Sequence, residues 1–239
     1  MVKKVTKITV EQDEEIPIKV LVEGEDTIYL AHKVAITAGA FVNHILKPSF
    51  GLELDLKIWE MGFAYFEPEP DMANKFNTMW FQFENGGLGD ETSNLFYGFP
   101  VLPWGKDGSE AKAQDMCRIA LDAPIQIISD PKDRKGEVPP EHLKRLQKFI
   151  EERMVGLTTR YVSYGTCMQT NVVDNMFVLD YIPKTCNRVA IFTAGWAMKF
   201  VPLIGKLLHE MLDGGIRNIR HKEIVENYFS INRPGILKQ

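Results

Sequence analysis

Two short, almost unbroken apolar runs, at 34–40 (VAITAGA) and 189–195 (VAIFTAG), constrain this chain more than any other feature. Each is strand-sized and far below the ~20 residues a membrane span needs. A run that is apolar at successive positions fits a strand covered on both faces, as strands of α/β sheets are. The first run ends in small residues and passes into FVNHIL (41–46), which has helical spacing. A buried strand that gives way to small residues and then a helix lets backbone approach a ligand closely. The second run is followed by PLIGKLLHEMLDGG (202–215), a helix that Gly214 and Gly215 stop.

Between these ends the pattern changes. From 52 to 99 the segments LELDLKIWEMGFAYFEP, TMWFQFE and NLFYGFPV are aromatic-rich and parted by Pro, Gly and Asn, as antiparallel strands are. CRIALD (117–122) reads as a further strand, 103–115 as polar loop and 122–140 as irregular. The stretch 140–154 (PEHLKRLQKFIEERM) is an amphipathic helix started by Pro139 and Pro140, with Leu143, Leu146, Ile150 and Met154 on its apolar face. Ahead of the first run, VTKITV and IPIKVLVE alternate as half-solvated strands. TIYLAHKVAIT (27–37) reads as a third strand after a turn at Gly24, Glu25 and Asp26, and FVLDYIP (177–183) as a strand of the last third. The order is therefore α/β, then β with one helix, then α/β again. The expected fold is α/β (α+β), with a mainly antiparallel sheet domain at 53–162 inserted between segments 1–52 and 163–239.

The net charge of −4, with basic and acidic residues interleaved, argues against nucleic acid or an anionic membrane as partner. The first residues lack the apolar stretch of a secretory signal. The C-terminal ILKQ is not a peroxisomal SKL-type address. Three cysteines without a CxxC fit a reducing compartment and supply no metal site. The five histidines (32, 44, 142, 209 and 221) have no metal-ligand spacing and read as structural or solvated. The expected location is cytoplasmic or peroxisomal.

The segment 164–183, YGTCMQTNVVDNMFVLDYIP, resembles the flavin-attachment segment of the sarcosine-oxidase-type amine and amino-acid oxidases, which include pipecolate and fructosyl-amine oxidases. NRVAIFTAGWAMKFVP (187–202), the helix-like 203–212, FSINRP (229–234), YGFP (97–100) and KVAITAGAFVNHIL (33–46) resemble further family motifs in the same order, so the resemblance covers nearly the whole chain. It implies part of an FAD-linked-reductase fold with FAD as cofactor. The family opens with a strand–GxGxxG–helix unit that holds the FAD pyrophosphate. No GxGxxG occurs here, and GGLGD at 86–90 lacks the spacing. Either the chain is truncated, or a second, N-terminal FAD-binding chain supplies that part.

By resemblance, Cys167 would carry FAD covalently, with Met168, Gly39, Gly195 and Lys199 also at the cofactor. Lys199 would in addition pair with a substrate carboxylate, and Tyr97 would line the substrate site. Arg118 falls where the family has a lysine that promotes reaction with oxygen. Each has a plainer reading beside it: a buried structural thiol for Cys167, a surface lysine for Lys199, a core aromatic for Tyr97. Three departures stand out: Arg118 for lysine, Gln169 for an active-site tyrosine, and a 195–199 turn shortened by two residues, with Trp196 beside the ring space. Arginine does not replace lysine freely, because its planar guanidinium keeps its charge.

The implied activity is oxidation of a C–N bond in a secondary amine or amino acid, with hydride passing to FAD and electrons on to oxygen as peroxide. The alternatives are a truncated or degenerate non-catalytic paralogue and the C-terminal half of a split oxidase.

Overall fold

A computed structural model describes residues 3–83, 95–101 and 116–238. The polar stretch 103–115 and the GGLGD segment lie outside the described residues. In chain order the strands are β1 (Val5–Thr9), β2 (Ile18–Val22), β3 (Tyr29–Ala31), β4 (Val34–Ile36), β5 (Lys57–Pro68), β6 (Trp80–Phe83), β7 (Leu95–Phe99), β8 (Cys117–Ile128), β9 (Leu157–Asn171), β10 (Val178–Tyr181) and β11 (Val189–Thr193). The helices are α1 (Asn43–Phe50), α2 (Pro140–Arg153), α3 (Val201–Leu212) and α4 (Ile219–Tyr228). The chain forms two compact units, one from residues 1–58, 129–132 and 169–239, the other from 59–128 and 133–168. It is an α/β fragment with antiparallel sheets.

In the first unit the two apolar runs meet. β4 and β11 pair in parallel, Val34 with Val189, Ala35 with Ala190 and Ile36 with Ile191, while β10 pairs antiparallel on the other side of β11. In this β10-β11-β4 sheet, β11 is the strand buried on both faces. β4 lies at the edge with Ala35 exposed, so the burial on both faces expected of the first run does not hold. Leu207, Leu208 and Met211 of α3 and Val225 of α4 close the core over Leu179 and Ala190.

The single third strand expected over 27–37 is two strands in two sheets. β3 adds to β2, and β4 joins β11. The break falls at His32 because the buried Arg188 holds it there. Its guanidinium donates to the carbonyls of His32, Asp13, Glu11 and Ile16, and its own carbonyl accepts from Val34 N–H at 2.9 Å. A buried charge needs such partners, and four backbone dipoles supply them.

Two segments singled out by resemblance fasten each other. The Asp180 carboxylate accepts from Ser230 Oγ (2.7 Å) and Ile231 N–H (2.9 Å), while Arg233 reaches the Asp174 carboxylate at 2.8 Å. The FVLD strand thus anchors the FSINRP tail.

In the second unit a five-stranded sheet runs β6-β7-β8-β5-β9. α2 covers one face, burying Leu143, Leu146, Phe149 and Ile150 against Phe96, Ile119 and Leu121. Each such fully buried side chain contributes ~1.5–3 kcal/mol relative to exposure. Phe149 stacks on Phe96 at 4.0 Å between centroids and on Trp80 at 5.8 Å. His142, on the same helix, is buried against Gly62, where a Cβ would stand 2.8 Å from its ring.

The stretch expected to be irregular from 122 is strand as far as Ile128. The register with β7 spans Arg118 to Leu121 and so ends before Pro124.

Candidate functional site

Strand alternation splits the second unit's sheet into a core face and a second, partly covered face, on which Ala120 and Asp122 are buried and Tyr97, Phe99 and Arg118 are half-buried. On the core face Phe96 and Gly98 of β7 and Cys117, Ile119 and Leu121 of β8 are buried. Phe99 stands directly opposite Arg118 across the ladder, and Tyr97 opposite Ala120. Two residues apart on one strand, Tyr97 and Phe99 share a face.

Arg118 is the centre of this face. Its guanidinium lies 4.3 Å from the Phe63 ring centroid and 5.1 Å from that of Phe99. Its charge acts on the Tyr97 hydroxyl and on the Cys167 thiol, pulling both toward deprotonation. The structure therefore brings three of the residues expected from the sequence, Tyr97, Arg118 and Cys167, into one cluster. Burial pushes the Cys167 thiol up, with Arg118 and Arg134 pulling the other way without overcoming it. Tyr97 is likewise raised by burial against the pull of Arg118. Both are neutral near pH 7, beside a cation that keeps its charge. Met168, next along β9, is half-buried.

Behind Cys167 is a network that sequence reasoning missed. Arg134 donates to Thr166 three times, Nε to Oγ1 at 3.0 Å and Nη2 to Oγ1 at 2.8 Å and to the carbonyl at 2.7 Å. Its Nε also lies 3.5 Å from the wholly buried Glu60. Glu60 accepts from Gly136 N–H at 2.8 Å, Lys135 N–H at 3.1 Å and Gln126 Nε2 at 2.7 Å. Burial alone would raise its carboxyl; the hydrogen bonds, that of Thr166 included, outweigh it and hold the group below the usual carboxylate range. The signal in the sequence was a lone carboxylate between Trp59 and Met61 in an otherwise apolar strand.

The first unit presents a separate set. Because β4 and β11 run in parallel, both leave the sheet at the same end, where α/β sheets bind ligands. After β4 the chain turns through Gly39 (φ +53°), whose carbonyl accepts from Thr193 Oγ1 at 3.1 Å. After β11 it turns through Ala194 (φ +67°) and Gly195 (φ +70°), with Gly195 N–H donating to the Thr170 carbonyl at 2.9 Å. A Cβ at Gly39 would meet open space, whereas one at Gly195 would stand 2.4 Å from the Phe177 ring. Gly39 thus leaves room for a ligand, and the bareness of Gly195 is used by Phe177. Lys199 is exposed in the short 3-10 turn Ala197–Phe200 before α3, with Nζ 5.0 Å from the Trp196 ring centroid. Among the described residues no helix is long and apolar enough to cross a membrane.

No family model matches the sequence. The chain is nevertheless 44% identical over 203 residues to a Dictyostelium discoideum protein bearing the name bifunctional amine oxidase, a match that covers 84% of this chain and 18% of that protein. It is 26% identical over 217 residues to monomeric sarcosine oxidase of a Bacillus strain, covering 88% of this chain and 50% of the relative. It is also 25% identical over 193 residues to human peroxisomal sarcosine oxidase, covering 80% and 46%. Among solved structures, NikD, an amino acid oxidase of nikkomycin biosynthesis, superposes with a TM-score of 0.70 at 24% identity over 91% of this chain and 53% of its own. Glycine oxidase from Geobacillus kaustophilus gives a TM-score of 0.64 at 15% identity, over 97% and 52%. The sequence and structural likenesses support kinship with the FAD-dependent amine oxidases. It spans about half the length of the sarcosine oxidases it matches.

Proposed function

We propose that this chain is part of a flavoprotein that oxidises a C–N bond of a secondary amine or amino acid, with its substrate domain at 53–162 between two FAD-domain segments. The observation that carries the reading is the convergence of Tyr97, Arg118 and Cys167 on the partly covered sheet face, three side chains from three separate strands. The fit to FAD rests on two features of the chain itself. The Gly39 turn has open space where a side chain would be, at the carboxyl end of a parallel pair. Cys167 is a half-buried thiol on which the Arg118 guanidinium acts to favour loss of the proton.

In this reading Cys167 of the second unit attaches to the cofactor beside Met168, and Arg118 and Tyr97 of that unit face the substrate. For the first unit, taken by itself, the reading assigns Gly39 and Gly195 to the cofactor and Lys199 to a substrate carboxylate. FAD, if held here, would supply a hydride acceptor for the carbon beside nitrogen, with oxygen as the oxidant that is reduced to peroxide. The chain's own part is to orient the amine and keep water away; the aromatic face suits both tasks. Cys167 must lose its proton to attach, and the positive charges of Arg118 and Arg134 favour that loss. The partner in this reading is an FAD-binding chain that brings the phosphate-cradling GxGxxG turn. The proposed location is the cytoplasm or the peroxisome, the latter matching the name of the peroxisomal sarcosine oxidases among the relatives.

Co-expression with a GxGxxG-bearing segment of a relative tests the reading. The complex should take up flavin, and acid precipitation should leave the flavin on the protein but release it from Cys167→Ser. Flavin retained by that variant would exclude attachment at Cys167. A second reading, a paralogue without turnover, is favoured by the Lys199–Trp196 stacking in the shortened turn, which engages the cation with a ring of its own chain. A complex that holds flavin yet is never reduced by any amine would support it.

A further inference from the structure

Among the described residues β9 is an edge strand of the five-stranded sheet, and its residues 159–162 are exposed. An edge strand is held by one ladder only, so a residue on it that must meet a reactant needs support from elsewhere. Beside Cys167 that support falls on Thr166. Arg134 grips Thr166 at both its hydroxyl and its carbonyl, donating at 3.0 and 2.8 Å to Oγ1 and at 2.7 Å to the carbonyl. One guanidinium thereby fixes the side chain and the backbone of the same residue. Thr166 and Cys167 leave β9 on opposite faces. The grip therefore acts on the strand beside the thiol and leaves the sulfur itself uncovered by it.

Arg134 is itself aimed by Glu60. Its Nε lies 3.5 Å from the wholly buried Glu60 carboxylate, which also binds the N–H groups of Lys135 and Gly136 and the amide of Gln126. Lys135 and Gly136 follow Arg134 directly, so one carboxylate holds the turn as well as the guanidinium that the turn presents. A buried ion pair adds little stability over apolar side chains of the same volume, and its yield is a defined geometry. The pair also reaches the thiol by charge. Burial opposes ionisation of Cys167 most; Arg118 of β8 and Arg134 act against burial, and Glu60 of β5 sides with it. The Tyr97 hydroxyl of β7, which interacts with the same thiol, is neutral.

We infer that Glu60 and Arg134 are a positioning pair for Cys167: Glu60 aims the guanidinium, the guanidinium clamps Thr166, and the clamp sets where the sulfur stands and keeps a positive charge behind it. This deepens the amine-oxidase reading and rests on its assignment of Cys167 to the cofactor. In this role neither residue touches the cofactor, and both act through Thr166.

The test uses the 239-residue chain without flavin, in a Cys186→Ser background, so failure of flavin binding leaves it unaffected. Alkylation of Cys167 by iodoacetamide is followed by mass spectrometry as a function of pH. Arg134→Met should raise the midpoint of that profile by about half a pH unit or more, because a cation is lost. Arg134→Lys should raise it less, since charge remains while the fork that grips Thr166 is lost. Thr166→Val keeps every charge, yet it should raise the midpoint too, because the released guanidinium no longer stays behind the thiol. In a Glu60→Gln chain, Arg134→Met should shift the midpoint by about half as much or less, since one residue works through the other. Thermal melts establish that each variant folds; if Glu60→Gln does not, the Arg134 and Thr166 variants decide. An unmoved midpoint in folded Arg134→Met or Thr166→Val, equal rises in Arg134→Met and Arg134→Lys, or full additivity with Glu60→Gln would each overturn the inference. Flavin retained by Cys167→Ser would overturn the attachment reading, and with it the purpose given to the pair, without moving these midpoints.

Discussion

Cys167 holds its proton because burial outweighs two cations, and removing one cation should make that imbalance worse. In a Cys186→Ser background, Arg118→Met should move the alkylation profile of Cys167 to higher pH. Cys117, whose thiol burial pushes up to about 12, reports by its silence that the fold is intact. A profile that stays in place, or moves down, would mean that Arg118 does not act on the thiol. The two glycines at the strand ends separate in the same manner. Gly195→Ala meets both a φ of +70° and the Phe177 ring, whereas Gly39→Ala meets only a φ of +53°. A left-handed alanine costs ~1–2 kcal/mol. Urea unfolding should therefore show about that loss for Gly39→Ala and a larger one for Gly195→Ala. Equal losses would mean that Phe177 yields at no cost. The residues of the partly covered face were legible because family motifs passed through them. Glu60 and Arg134 were not, since their meeting depends on contacts across some 75 positions of chain that no local pattern records.

Among the elements, the ones with a strong period or an unbroken apolar run were readable, as α2, β11 and the aromatic strands β5 to β7 illustrate. β9 was not, because LTTRYVSYGTCMQTN is largely polar, and much of it is exposed. Its order comes from its place beside β5 and from the grip of Arg134 on Thr166. α4 was passed over for a related reason. It buries only Val225, and its clearest sign was Asn218, whose side chain caps it by accepting from His221 N–H at 3.1 Å. The pairing of β10 with the tail yields a prediction of its own. Asp180→Ala removes both bonds to the 230–231 turn and strands a buried donor, so stability should fall by ~2–3 kcal/mol. Hydrogen exchange at Ile231 should lose its protection before the rest of the unit opens. Unchanged exchange there would show that the tail is held by its other contacts, such as Asp55 N–H to the Ile236 carbonyl at 2.8 Å.

Taken as a whole molecule, the chain should weaken in acid for an identifiable reason. Burial lowers the pKa of His142 below its ordinary 6.5, Arg145 lowers it further, and the Gly62 backbone and Glu141 oppose both. A histidine that is harder to protonate when folded leaves the unfolded chain with more bound protons in acid. Its contribution is thus complete above pH 6.5 and is lost as the pH falls below that value. Denaturant unfolding across this range should show stability declining toward acid, and His142→Gln should flatten the decline. An unchanged slope in that variant would assign the pH dependence to other groups.

The same whole-molecule view carries the functional claim, that this sheet face presents an amine to a flavin. The direct measurement is the visible flavin absorbance of the chain complexed with a GxGxxG-bearing segment, mixed without oxygen with a series of secondary amines and cyclic amino acids. The account predicts that a member of the series bleaches the flavin and that Arg118→Met slows the bleaching at limiting substrate. A complex that binds flavin but is bleached by none of the series, or is bleached equally well with and without Arg118, would contradict it.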